Sequence, residues 1–397
     1  MKGFRWAPYV AAVLALAGCA QPPPPAAPDS ASSPPAVASR TASPAYSPPP
    51  EALARAQAIA SAMTPEQKAG QLILVEWDHD RSTLEDVAAL VTSCSAGGVL
   101  YLGAGWTMDN AALASAALAG AKTVPDVRPF IAMDQEGGAV QRLKTGAATI
   151  PSALDQGAWP AEQLRQAARD WGQDLARAGV NVNLAPVADT VPTDRAPGNA
   201  PIGALNRQFG NDPLAVGQHA AAFVQGMSDA GVMSTLKHFP GLGMVSENPD
   251  FTQSPVTDTV STTTSPEIEA FAIGLTAEPA MVMVSWAVYE QIDPGHMAAF
   301  SPAIIDGLLR DGLGWRGIVI ADSMNASVVS GIPAGDRAIS FINAGGDLMT
   351  LRTQTDIQAA WSTLVDQIKE SPDFAARVDA SVVRILLAKD RAGLVDP

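Results

Sequence analysis

Apolar residues gather in eight short, nearly unbroken runs, at residues 72–75, 98–102, 130–133, 182–185, 233–236, 281–284, 318–321 and 348–351. Runs of four or five apolar residues without alternation predict strands covered on both faces, as in a parallel sheet. Segments with apolar residues at helical spacing separate them, at 161–178, 213–230, 301–312 and 373–388. The last places Val378, Val382, Ile385 and Leu386 on one face. Thr64-Pro65-Glu66-Gln67 predicts a helix start, with Thr64 as cap, Pro65 at the first helical position and Gln67 three residues past the cap. Eight strand–helix units predict a single (β/α)8 TIM barrel over residues 51–397. The alternative is a doubly wound sheet with a second domain, but no Pro/Gly/Ser linker interrupts this region to mark a boundary.

The first fifty residues follow a different pattern. Lys2 and Arg5 precede an apolar stretch from Ala7 to Ala17, too short to span a bilayer as a stable helix. Small residues lead directly into Cys19 in Leu16-Ala17-Gly18-Cys19, the form of a bacterial lipobox. The expectation is a lipoprotein signal peptide at 1–18, with Cys19 as the lipid attachment site. Residues 19–50 then form a tether. Eleven of the thirty residues from 21 to 50 are Pro, with Ala and Ser making up most of the rest. Proline favours extended polyproline II and offers no packing face. The expected location is outside the cytoplasm, anchored to the cell membrane and facing the cell wall or periplasm.

Charge narrows the possible partners. The chain carries 25 Lys+Arg and 40 Asp+Glu, for a net −15. The first fifty residues hold three of the bases and one of the acids, which leaves 22 bases and 39 acids, or −17, on the remainder. A nucleic-acid partner is excluded, because a polyanion needs a Lys/Arg footprint. With Cys19 acylated, Cys94 stands alone, so no disulfide framework is expected. The four histidines show no metal-ligand spacing. There is no Gly-rich dinucleotide or phosphate loop. Neither a metal nor a cofactor is implied.

The polar residues cluster where a barrel keeps its chemistry, at the C-terminal ends of strands. The third run leads into Asp134-Gln135-Glu136-Gly137-Gly138, the fourth into Asp189, the fifth into Lys237-His238, the sixth into Ser285-Trp286 and the seventh into Asp322-Ser323. Five strands in register predict one shared site. A ring of Asp, Arg, Lys and His suits the hydroxyls of a sugar, and Trp residues near the rim are expected to stack on a pyranose face.

Three separated segments carry a family resemblance. Asp134-Gln135-Glu136-Gly137-Gly138-Ala139-Val140-Gln141-Arg142, Lys237-His238-Phe239-Pro240-Gly241-Leu242-Gly243 and Gly317-Ile318-Val319-Ile320-Ala321-Asp322 resemble glycoside hydrolase family 3. The match is nearest to its single-domain bacterial β-N-acetylglucosaminidases and runs from about Thr64 to Leu387. It implies a retaining, exo-acting hydrolase acting on N-acetylglucosamine-containing glycans of the cell wall (peptidoglycan). It also implies Asp322 as nucleophile, and Asp134, Arg142, Arg207, Lys237 and His238 as sugar-binding residues. Lys237 and His238 are expected to help keep Asp322 ionised.

The sequence departs from that pattern at one point. In the single-domain members, the proton donor is a His on the loop after Lys-His-Phe-Pro-Gly, paired with an Asp two residues earlier. Counting along this loop gives Asn248-Pro249-Asp250. Three readings follow: Asp250 is the acid/base, Glu247 is the donor, or the donor is missing and the chain is a catalytically impaired sugar-binding lipoprotein. A β-glucosidase-type activity is the other enzymatic alternative. Ala321 also stands where the family usually has Ser or Thr, and is expected to tune catalysis rather than abolish it.

Overall fold

The computed structural model describes residues 48–121 and 124–396. The expected signal peptide 1–18, Cys19 and the tether through residue 47 lie outside the described residues. Eight parallel strands form one sheet: β1 (Ile73–Asp78), β2 (Gly98–Leu102), β3 (Phe130–Met133), β4 (Val182–Asn183), β5 (Met233–Phe239), β6 (Met281–Val284), β7 (Ile318–Ala321) and β8 (Met349–Leu351). Each strand from β1 to β7 lies beside the next, and β8 lies beside β1. A parallel bridge between Ile320 and Leu348 brings β7 to β8 and closes the ring. The structure is thus a TIM-type (β/α)8 barrel.

Helices fill every interval. α1 (Pro50–Ala62) and α2 (Pro65–Gln71) precede β1. α3 (Leu84–Cys94), α4 (Met108–Ala119), α5 (Ala161–Arg177), α6 (Pro213–Asp229), α7 (Pro266–Leu275), α8 (Ala303–Gly312) and α9 (Ala334–Asn343) connect the successive strands, and α10 (Gln354–Glu370) and α11 (Pro372–Arg391) follow β8. α2 begins with the expected capping box: the Thr64 hydroxyl accepts from the Gln67 backbone, and the Gln67 side chain accepts from the Thr64 backbone. α8 is wound with π-type turns, and the Leu313 N–H donates to the Leu308 carbonyl at its end. α5 buries Leu164, Ala168, Trp171 and Leu175, spaced to face the barrel.

Strand ends depart from the apolar pattern for physical reasons that matter to the site. β5 extends past Leu236 through Lys237 and His238, which are 2% and 4% exposed. Their polarity hides the strand in a hydropathy reading, but countercharges make their burial tolerable. β1 likewise runs on through Glu76, which is buried and ion-paired. β4 stops at Asn183, short of the expected 185, because its register against β5 shifts there: the Thr235 N–H donates to the Ala185 carbonyl and the Lys237 N–H to the Pro186 carbonyl. Pairing resumes at a single bridge between Val187 and Lys237.

Candidate active site

The hairpin after β3 is pinned by Gln135. Its side-chain oxygen accepts from the N–H groups of Arg142 and Leu143, each at 3.0 Å, and its amide donates to the Leu143 carbonyl at 2.8 Å. Gly137 takes φ +104°, and a Cβ there would lie 2.2 Å from the Pro151 carbonyl oxygen. Only glycine fits. This turn sets Asp134, Glu136 and Arg142 around one point.

Glu136 is the hub. The Arg207 guanidinium grips its carboxylate with two bonds of 2.9 and 2.8 Å, and the Lys237 ammonium approaches it at 2.6 Å. Lys237 also donates to Asp134 at 2.9 Å, while Arg142 reaches Asp134 only at 3.9 Å. Burial pushes the Glu136 carboxyl up, but the Arg207 and Lys237 charges outweigh it and hold it well below the usual carboxylate range. Burial pushes the Lys237 ammonium down, and Asp134 and Glu136 more than restore it. The expectation that Lys237 serves Asp322 therefore needs correction: its ammonium is committed to Asp134 and Glu136.

His238 is fixed from behind. Its Nδ1 lies 2.7 Å from Asp189, and Asp189 also accepts from the backbone N–H groups of His238 and Leu242. With Nδ1–H donating to that carboxylate, Nε2 faces Arg207 Nη2 at 3.4 Å as an acceptor. The loop that carries Arg207 is tied down by Asn199. Its amide donates to the carbonyls of Leu242 and Val245, and its oxygen accepts from the N–H groups of Ile202 and Gly203.

Asp322 follows β7, and its carboxylate accepts from the Ser323 N–H at 2.8 Å. Asp250 sits on the loop after β5. Its N–H donates to the Asn248 side chain at 2.9 Å, so Asn248 shapes this turn. Its carbonyl accepts from the Ser327 N–H and the Pro249 carbonyl from the Val328 N–H, which ties the Asp250 loop to the turn beyond Asp322. Among the described residues, neither Asp322 nor Asp250 has a cation partner. Although Asp250 faces the open cavity, its crowded surroundings push its carboxyl up to about 6. Burial is the first cause and the Asp322 charge the second, with His238 and Arg207 opposing.

All seven residues expected in the site, Asp134, Arg142, Arg207, Lys237, His238, Asp250 and Asp322, line one cavity of about 390 Å³ at the C-terminal rim. That volume falls in the roughly 300–1,000 Å³ range of small-molecule sites. Glu247 is exposed and does not line it, whereas Asp250 does. The expectation of Trp at the rim is corrected too. Among the described residues no Trp lines the cavity, and Trp286 is fully buried, donating to the Ser323 carbonyl. The aromatic residue at the mouth is Phe251, 84% exposed. A separate cavity of about 90 Å³ at the opposite end of the barrel is walled by Leu275, Trp315, Leu387 and other mostly apolar residues, and lacks paired carboxylates.

Sequence reasoning missed Glu76, Arg352 and Asn325, and gave Glu136 and Asp189 no role of their own. Glu136 lay inside a motif already singled out, and Asp189 at a strand end. Glu76 left one signal, a lone acid inside an apolar strand. Nothing in the sequence paired it with Arg352, 276 residues away.

A TIM barrel whose rim holds two carboxylates free of cations, beside a fixed wall of Asp, Arg, Lys and His, is the arrangement of an enzyme that cleaves glycosidic bonds. A family model described as the glycosyl hydrolase family 3 N-terminal domain matches residues 64–388. The chain belongs to that family and is a glycoside hydrolase. It is 30% identical over 361 residues to the beta-hexosaminidase LpqI of Mycobacterium tuberculosis, covering 88% of each chain. Its fold is similar to the crystal structure of a beta-N-acetylhexosaminidase from Beutenbergia cavernae, with 40% identity and a TM-score of 0.78 over 83% of this chain and 99% of that one. It is also similar to a glycoside hydrolase family 3 beta-N-acetylglucosaminidase from Paenibacillus, with 29% identity and a TM-score of 0.74 over 84% of this chain and 63% of that one.

Proposed function

We propose that this glycoside hydrolase is a retaining, exo-acting β-N-acetylglucosaminidase that removes terminal N-acetylglucosamine from peptidoglycan fragments. The names of its relatives support the sugar. The observation that carries the mechanism is the pairing state of the carboxylates. Asp134, Glu136, Asp189 and Glu76 are each engaged by a cation or a histidine, whereas Asp322 and Asp250 are not. One member of this free pair is pushed up to about 6. A carboxyl pushed up in this way suits a proton donor, and the unpaired Asp322 in the same cavity suits a nucleophile.

Asp322 attacks the anomeric carbon and forms a glycosyl ester, while Asp250 gives its proton to the departing oxygen. Asp250, now ionised, takes a proton from water, and that water cleaves the ester with net retention. Asp134, Arg142, Arg207, Lys237 and His238 hold the ring hydroxyls. Because Asp134, Lys237, Arg207 and His238 are already linked through hydrogen bonds and Glu136 before substrate arrives, little reorganisation of these four is left for the transition state.

The pH dependence follows with its sign. Asp250 must be protonated in the free enzyme, so kcat/KM falls as pH rises above about 6. Asp250→Ala removes that limb. It slows N-acetylglucosamine disaccharides by ~10²–10⁴-fold, and an aryl glycoside with a good leaving group far less. Equal slowing of both substrates, or of neither, overturns the assignment.

The anchored location is part of the same proposal, supported by the lipobox ending at Cys19 and the Pro-rich segment after it. Wild-type protein should incorporate labelled palmitate and sediment with membranes, while Cys19→Ser does neither. A soluble, unlabelled wild type would refute the anchor.

A further inference from the structure

Arg352 follows β8, next to the strand that delivers Asp322. Neighbouring strands lie about 4.8 Å apart, so the two residues spring from adjacent points on the rim. Arg352 is held firmly. Its Nε donates to Glu76 at 2.9 Å, and its backbone N–H donates to the Asn325 side chain at 2.8 Å. Glu76 is satisfied on its other oxygen by Ser323 Oγ at 2.9 Å and Thr350 Oγ1 at 2.7 Å. The Glu76 side chain is 1% exposed, whereas that of Arg352 is 44% exposed and faces the cavity. Among the described residues, no group accepts a hydrogen bond from Nη1 or Nη2 of Arg352.

The other two cavity cations near the nucleophile's wall are spent. Lys237 is bound to Asp134 and Glu136, and Arg207 to Glu136 and the Pro201 carbonyl. Arg142 stands across the barrel mouth on the β3 hairpin. Arg352 is therefore the guanidinium beside Asp322 with donors to spare. The sugar substituent nearest the carbon that Asp322 attacks is the one on C2. In an N-acetylhexosamine it is an acetamido group, whose carbonyl oxygen is a strong acceptor. Ala326 lines the same cavity and offers an apolar surface to its methyl group.

We propose that Arg352, oriented by Glu76, is a specificity-determining residue that donates from its Nη groups to the carbonyl of the substrate's 2-acetamido group. The inference rests on the N-acetylglucosaminidase reading. The Nη donors distinguish an acetamido sugar from its 2-hydroxy counterpart because only the former presents a carbonyl acceptor to them.

The test compares wild type, Arg352→Met and Arg352→Lys in the full-length enzyme, with thermal melts to show that each is folded. Equilibrium binding of N-acetylglucosamine and of glucose is measured by calorimetry, and turnover with the matching 4-nitrophenyl β-glycosides. Arg352→Met should weaken N-acetylglucosamine binding and lower kcat/KM for its glycoside by about 10- to 100-fold, while glucose binding and glucoside turnover change less than about twofold. Arg352→Lys keeps an ion pair with Glu76 but loses the forked donors, and should recover only part of the loss. Parallel loss for both sugars would show that Arg352 only supports the nucleophile loop through Glu76 and Ser323, and would overturn the proposal. Undiminished N-acetylglucosamine selectivity would also overturn it. Failure of the underlying reading looks different: the wild type itself would then show no preference for the acetamido sugar.

Discussion

Asp322→Ala is expected to lower turnover of N-acetylglucosaminides by roughly 10⁴- to 10⁶-fold, the scale on which removal of a covalent nucleophile acts. The side chain is reached only from the cavity, and its carboxylate takes one backbone hydrogen bond, from Ser323. Its removal should leave stability nearly unchanged, because it carries no ion pair whose breakage strands a buried charge. Two measurements separate nucleophile from bystander. A 5-fluoro glycoside should leave a covalent adduct on Asp322 in the wild type, found by mass spectrometry of peptides. Azide added to Asp322→Ala should restore cleavage of an activated aryl glycoside and yield the α-azide, because a single displacement inverts the centre. An adduct elsewhere, or a variant within tenfold of wild type, removes Asp322 from the role.

Glu136→Ala is expected to have the opposite profile, a large loss of stability together with loss of sugar binding. The carboxylate sits between Arg207 and Lys237, with contacts of 2.6–2.9 Å, and its side chain is 3% exposed. Its removal strips Arg207 of its carboxylate partner and leaves Lys237 with Asp134 alone, which costs about 3–5 kcal/mol. Glu136→Gln keeps the shape but not the charge and should fall between. The wild-type pH dependence has the same origin. Because the folded carboxyl is held below its unfolded value, its contribution is complete above about pH 4.3 and fades as pH falls toward the folded value. Denaturant titrations of wild type and Glu136→Gln between pH 3 and 7 check this. The gap between the two proteins should narrow on the acid side, and a constant gap would contradict the ion-pair account.

Much of the barrel was legible because parallel strands leave a simple mark. Both faces are covered, so β2, β3, β6 and β7 coincide with uninterrupted apolar runs. Helix starts were legible where capping chemistry is local, as at Thr64 and at Asp212, whose side chain accepts from the Leu214 N–H. Strand ends were less so. β1 and β5 continue through Glu76 and Lys237-His238, and a hydropathy pattern has no means of knowing that a charge is buried beside its partner.

The same limit governs the site. The sequence alone determined which strand ends carry chemistry, because each β–α junction in a barrel delivers its residues to one rim; it placed Asp134, Lys237, His238 and Asp322 there, and the family resemblance added Arg142 and Arg207. It also exposed Asn248 and Asp250 as a departure from a His-based donor. Only the tertiary structure decided which charges neutralise one another. Glu136 takes Arg207 and Lys237, Asp189 takes His238, and Glu76 takes Arg352, so that Asp322 and Asp250 are left without cations in one cavity. The physical reason is that strand position follows from local periodicity. Charge pairing depends instead on distances between side chains tens to hundreds of residues apart, and those distances exist only once the barrel has closed.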